Sequence, residues 1–205
     1  TRFIIMIEIG IFIKPNKSLE DEIILWKNKF HNKFGNQLFL DHIPHLTLSN
    51  FFVTNVNDLL IEIRKYCQNF NNQLSIEINK TSQFDIENET KTINLHYEVI
   101  KNKKLLNFQE NLSKKISPYI ISKFQNNFIY NKYNFLNETF GYPFIGKYWI
   151  PHFTICSLEE IHQEDGLKDE FLELKLQHKF YVENIEIYEI KDSSHLKIEE
   201  IGING

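Results

Sequence analysis

Short apolar runs with a two-residue period alternate along the chain with longer stretches whose apolar residues recur at three and four, and this alternation lays out the elements in order. Residues 3–13 are rich in β-branched side chains and end at Lys14-Pro15-Asn16, which predicts a buried strand closed by a turn. Leu19, Ile23, Trp26, Phe30 and Phe34 then share one helical face, with Ser18 as the expected cap and Gly35-Asn36 as the stop. A strand is expected within 39–53, with Pro44 at its start, where a missing N–H costs no ladder bond. Asn57 is the expected cap of a second helix that turns Leu59, Ile63, Tyr66, Cys67 and Phe70 inward. Stretches 74–78 and 92–99 alternate as two strands of a hairpin, and a third helix starts near Asn102 and is kinked or ended by Pro118.

Residues 125–147 hold no sustained period, and a loop of that length inside a compact unit is often functional. A strand over 148–157 follows, then a short helix about Leu167, Phe171 and Leu174, then strands over 181–190 and 195–203 around Asp192-Ser193-Ser194. The whole order is a rough internal duplication. It predicts an α+β chain folded as one unit over 1–205.

Composition narrows what such a chain can do. Hydrophobic residues make up 42%, with 18 Phe and 9 Tyr, which excludes a disordered chain and predicts an aromatic core. A net charge of −4 argues against a protein that coats duplex nucleic acid, while leaving room for one phosphate held by a few local donors. Cys67 and Cys156 make no disulfide framework, and Cys156 reads as a small buried hydrophobe. The apolar run 3–13 is too short for a bilayer and carries Glu8, and no small-residue cleavage site follows it. A cytoplasmic or nuclear monomer is the expectation.

Two stretches carry the chemistry. Pro44-His45-Leu46-Thr47-Leu48 and Pro151-His152-Phe153-Thr154-Ile155 share one pattern, which chance should place in such a chain on the order of a thousandth of a time. On a strand, the His and Thr of each face one side and the apolar residues the other. Two imidazoles beside two hydroxyls are the parts for acid–base chemistry at phosphorus, with His45 and His152 exchanging protons. Thr47 and Thr154 would donate to the non-bridging oxygens where charge builds up. The scheme requires neither metal nor cofactor.

With these motifs the chain resembles the 2H phosphoesterase superfamily, which includes the LigT-like 2′-5′ RNA ligases and the cyclic nucleotide phosphodiesterases. The resemblance rests on His45-Leu46-Thr47-Leu48 and His152-Phe153-Thr154-Ile155, with Leu48-Ser49-Asn50-Phe51-Phe52 similar to the continuation of the first motif. It implies two pseudo-symmetric lobes, each an antiparallel sheet with outer helices, and both motifs facing a central cleft. It also implies His45 and His152 as the acid–base pair and Thr47 and Thr154 as phosphate ligands. Bacterial LigT-like members often carry an Arg just after the second motif. This chain has Cys156-Ser157 there, and its only arginines are Arg2 and Arg64. That departure points to a phosphodiesterase acting on 2′,3′-cyclic phosphates or 2′-5′ linked oligonucleotides; the alternative is a nucleotide- or RNA-end-binding module without turnover.

Other residues are weighed against these. Ser49 lies two beyond Thr47 and is expected on the same face, whereas Ser157 faces away unless the strand bulges. Tyr148 falls on the His152 side by alternation and is a candidate for stacking a base of a nucleotide or single-stranded RNA, as are Tyr130, Tyr133, Phe140 and Tyr142. Trp149 falls on the opposite side. His42 precedes His45 by three, on the opposite face of a strand, so no metal is expected there. His31, His96, His162, His178 and His195 stand alone and read as surface or satisfied histidines.

Overall fold

The computed structural model describes residues 5–85, 91–121, 134–191 and 194–203. Phe3, Arg2, Tyr130, Tyr133 and the Asp192-Ser193 turn lie outside the described residues. Strand β1 (Ile7–Ile13) leads through α1 (Lys17–Phe34) to β2 (Leu46–Val53), and α2 (Val56–Gln68) leads to the hairpin of β3 (Leu74–Asp85) and β4 (Ile93–Val99). Helix α3 (Lys103–Ile116) and α4 (Asn134–Phe140) precede β5 (His152–Leu158). Then come α5 (Gly166–Leu172), β6 (His178–Val182), β7 (Asn184–Lys191) and β8 (Ser194–Gly202).

Several boundaries differ from the sequence expectation, each for a local reason. Asn16 rather than Ser18 caps α1, its side-chain oxygen accepting from the Leu19 N–H at 3.0 Å. Asn55 rather than Asn57 caps α2 by accepting from the Asp58 N–H. A first helical turn need not bury anything, so the apolar spacing marks it late. The strand expected over 181–190 is broken at Glu183 into β6 and β7. The expected loop 125–147 is described from 134 and opens with α4.

All pairings are antiparallel, and the order is β6-β3-β4-β5-β2-β1-β7-β8. The centre of that sheet is thin, since β2 and β5 meet only at Leu46 opposite Phe153. The sheet is therefore two four-stranded lobes, β2-β1-β7-β8 and β5-β4-β3-β6, that match strand for strand outward from the seam. β1-α1-β2 corresponds to β4-α3-β5. The two motif strands are the inner edges.

One face of the sheet carries the core. Ile9, Ile11, Ile13, Leu46, Leu48, Phe153 and Ile155 cluster with Leu19, Ile23, Phe30, Leu105, Phe108 and Leu112 of the helices. The intervening residues look out from the other face, and Glu8 and Phe12 of β1, Thr47 of β2 and Thr154 of β5 line a cleft there. Among the described residues no helix is long and apolar enough to cross a membrane.

Candidate active site

Each motif is preceded by a residue whose carbonyl fixes the histidine two positions on. The Nδ1 of His45 lies 2.7 Å from the Ile43 carbonyl, and the Nδ1 of His152 lies 2.7 Å from the Ile150 carbonyl. A carbonyl only accepts, so Nδ1 carries the proton in each ring and Nε2 keeps its lone pair. Pro44 and Pro151 hold the turn between carbonyl and ring with a fixed φ.

Both motif strands then bulge at the same place. Ile11 opposes Ser49 while Phe12 opposes Thr47, which leaves Leu48 as the extra residue. In the second lobe Leu95 opposes Cys156 while His96 opposes Thr154, which leaves Ile155. A bulge resets the two-residue alternation. The consequence corrects the expectation for Ser49, which is buried away from the cleft lining, while Asn50 takes the cleft position. It also meets the condition set for Ser157, whose Oγ lies 3.5 Å from the amide of the cleft residue Asn94.

The bulged backbone is held from behind. Gln109 of α3 is fully buried and donates to the carbonyls of Leu48 (2.9 Å) and Phe144 (3.0 Å), while its own oxygen accepts from the Gly146 N–H (2.9 Å). Trp149, buried as expected, donates its indole N–H to the Thr47 carbonyl at 3.0 Å, tying the approach of the second motif to the first.

The cleft encloses about 380 Å³ and brings His45, Thr47, His152 and Thr154 together with His42, His195, Lys27, Asn50, Asn94, Phe39, Tyr142 and Phe144. Tyr148 is not in the lining: it ends a 3-10 turn, Gly146–Tyr148, ahead of the strand, so the alternation invoked for it does not apply. Its ring lies 6.2 Å from that of Phe135. Tyr142, from the same candidate group, does line the cleft.

Histidines that look solitary in the sequence gather here. The His45 ring stacks on Phe12 at 4.0 Å and stands 5.4 Å from His195, which is 4.7 Å from His42. In the other lobe His96, fully buried and stacked on Phe84 at 4.0 Å, stands 5.0 Å from His152. Burial is the main force on their protonation: it lowers His45 to about 3, His42 to about 4 and His96 to about 3, and lowers His152 as well. Neighbouring imidazoles push His45, His42 and His96 the same way. Burial thus favours the neutral ring at His42, His45, His96 and His152.

Lys27 belongs to this site and has a readable signal. It lies four residues after Ile23 on the apolar face of α1, where a lysine must find partners. Its ammonium donates to the carbonyls of Phe39, Leu40 and His42, and burial lowers it to about 8. It fixes the loop that enters the first motif. Cys156, by contrast, is buried with its thiol raised to about 12, which fits the small-hydrophobe reading.

No protein-family model matches the sequence, and no curated protein matches it. Solved structures do match in shape. TT0787 of Thermus thermophilus superposes with a TM-score of 0.64 at 14% identity, over 97% of this chain and 98% of that one. LigT of E. coli complexed with NADP+ gives 0.59 at 11%, over 98% and 100%; LigT is also known complexed with 3′-AMP and with phosphate. A structure described as a phosphoesterase gives 0.58 at 13%, over 97% and 99%. The likeness is one of fold, and it spans both lobes.

Proposed function

We propose that this chain, which has the two-lobed fold of the LigT-like 2H phosphoesterases, is a phosphodiesterase acting on nucleotides or RNA ends as one bilobal unit. The observation that carries the reading is the paired fixing of His45 and His152: two rings, one on each inner strand, held through Nδ1 so that Nε2 is left for the cleft they both line. The fold match adds that LigT, built alike, is seen with nucleotides and with phosphate. A cleft of about 380 Å³ has room for a nucleotide.

In this reading one imidazole accepts a proton at Nε2 from the attacking oxygen and the other, charged, gives one to the leaving oxygen. For a 2′,3′-cyclic phosphate, water attacks and a ribose oxygen leaves. For a 2′-5′ linked chain, the neighbouring 3′-hydroxyl attacks, the 5′-oxygen leaves, and the product is a cyclic phosphate. Reversal exchanges the two roles. Burial favours the neutral form of both rings, so the negative phosphate itself supplies the field that lets one of them charge. Thr47 and Thr154 donate hydroxyl hydrogen bonds to the non-bridging oxygens. Tyr142 and Phe144 offer ring faces for a base. None of these steps requires a metal.

The test is product analysis by chromatography after incubation with 2′,3′-cyclic nucleotides and with 2′-5′ and 3′-5′ oligoadenylates, with chelator present. Turnover that disappears in His45→Ala and in His152→Ala supports the reading. Full activity in either variant overturns it, and nucleotide binding without product from any class leaves a binding module.

A further inference from the structure

The two lobes supply matching His-Thr pairs, yet the cleft is unequal in its charge-bearing groups. On the His45 side His42 and His195 also line it, edge to face at 4.7 Å, with Lys27 beneath the His42 backbone. On the His152 side the additional imidazole, His96, is fully buried behind the lining, and the polar neighbour that reaches the cleft is the uncharged Asn94. One phosphate bridging two His-Thr pairs accounts for His45, Thr47, His152 and Thr154. His42 and His195 line the same cleft beyond that set.

We propose that His42 and His195 form a second anion subsite beside His45, which takes another phosphate of the same nucleotide substrate. The inference rests on the phosphodiesterase reading and narrows its substrate class to nucleotides carrying a phosphate beyond the one cleaved. Imidazoles suit that task because they donate N–H to phosphate oxygens and gain a proton when an anion arrives.

The surroundings favour an anion over a cation. No group of three or more His, Cys, Asp or Glu among the described residues is arranged to hold a metal. The groups facing the pair are Lys27 from α1, Asp41 at 3.9 Å from His42, His45 from the first motif, Phe12 and, farther along, Glu8 from β1, and Tyr188 from β7. Asp41 is largely exposed, and burial biases Glu8 toward its neutral form. The ammonium of Lys27, already engaged with three carbonyls, contributes its charge and the position of His42.

Calorimetric titration of the full chain at neutral pH with 3′-AMP, 5′-AMP and adenosine 3′,5′-bisphosphate tests this. The bisphosphate should bind at least about tenfold tighter than either monophosphate. His195→Asn, and separately His42→Gln on the loop, should erase that advantage while 3′-AMP still binds. Equal affinities for the three ligands overturn the subsite. So does a variant in which mono- and bisphosphate weaken together, since the ring would then serve the phosphate already assigned. Failure of the phosphodiesterase reading looks different: 3′-AMP binding would be indifferent to His45→Ala and His152→Ala, whatever the bisphosphate does.

Discussion

Phe12 and His96 are the same position in two halves of one design. Each opposes the threonine of a motif across a bulge, Phe12 opposite Thr47 and His96 opposite Thr154, and each ring lies against that motif's histidine, at 4.0 Å and 5.0 Å. A phenyl ring backs His45. An imidazole whose buried Nε2 has no hydrogen-bond partner among the described residues backs His152.

Because Phe12 shows that a phenyl ring fits this position, His96→Phe should fold. It should also reduce sensitivity to acid. Folded His96 takes up a proton only near pH 3, whereas in the unfolded chain it does so near 6.5. Between those values the unfolded state binds the extra proton, so this contribution to stability is complete above about pH 6.5 and is lost as pH falls. The loss approaches about 1.4 kcal/mol per pH unit for a fully buried ring. Urea unfolding at pH 7 and pH 5 should show a smaller difference between the two pH values in His96→Phe than in the parent; an equal difference counts against the assignment.

Gly10 leaves the space that Phe12 needs. A Cβ there would run into the Phe12 ring and come within 3.0 Å of Ile190 Cδ1. Gly10→Ala should cost about 1–3 kcal/mol and turn Phe12 off the His45 ring. Displacing His45 should lower turnover by up to about 100-fold with little change in KM. Imidazole NMR signals of His45 that stay unmoved in the variant would refute the coupling.

Gln109→Leu removes the hydrogen bonds that hold two carbonyls and one N–H in the interior. Each such group costs about 1–3 kcal/mol, and the three share one side chain, so a total loss of at least about 2 kcal/mol is expected. Residues 142–146 should become the first site of limited proteolysis. A variant with parental melting and cleavage pattern would show that the loop is held otherwise.

Tyr142→Ala should raise KM for a nucleotide substrate about tenfold, the scale of one lost stacking contact. Tyr148, placed outside the cleft lining, should tolerate the same change. The opposite ranking in steady-state kinetics would return Tyr148 to the site.

The α+β order, the two motif strands and the pairing of His45, Thr47, His152 and Thr154 were legible because they rest on periods of two and between three and four. What sequence reading missed came from departures from those periods. The bulges at Leu48 and Ile155 moved Ser49 out and Asn50 in, and nothing local in the residues announces a bulge. His96 reaches the site by pairing with the distant β5, and His195 because its hairpin strand β7 pairs with the distant β1, so a one-dimensional reading finds them alone. Lys27 is the exception, because a charge on an apolar helix face is legible in the residues themselves.

The seam of one residue pair hides a second property, which concerns how the lobes are strung. The chain leaves the first lobe after β2, builds the whole of the second, and returns at Glu183 to finish the first with β7 and β8. The second lobe is therefore a continuous piece of polypeptide and the first is not. The motif histidine met first in the chain gains its neighbour His195 only when β8 arrives, so the cleft is completed by its latest strand. A ribosome releasing these strands in order would expose a half-closed site until β8 emerged, and a break at Glu183 would give two fragments that bind ligand fully only together.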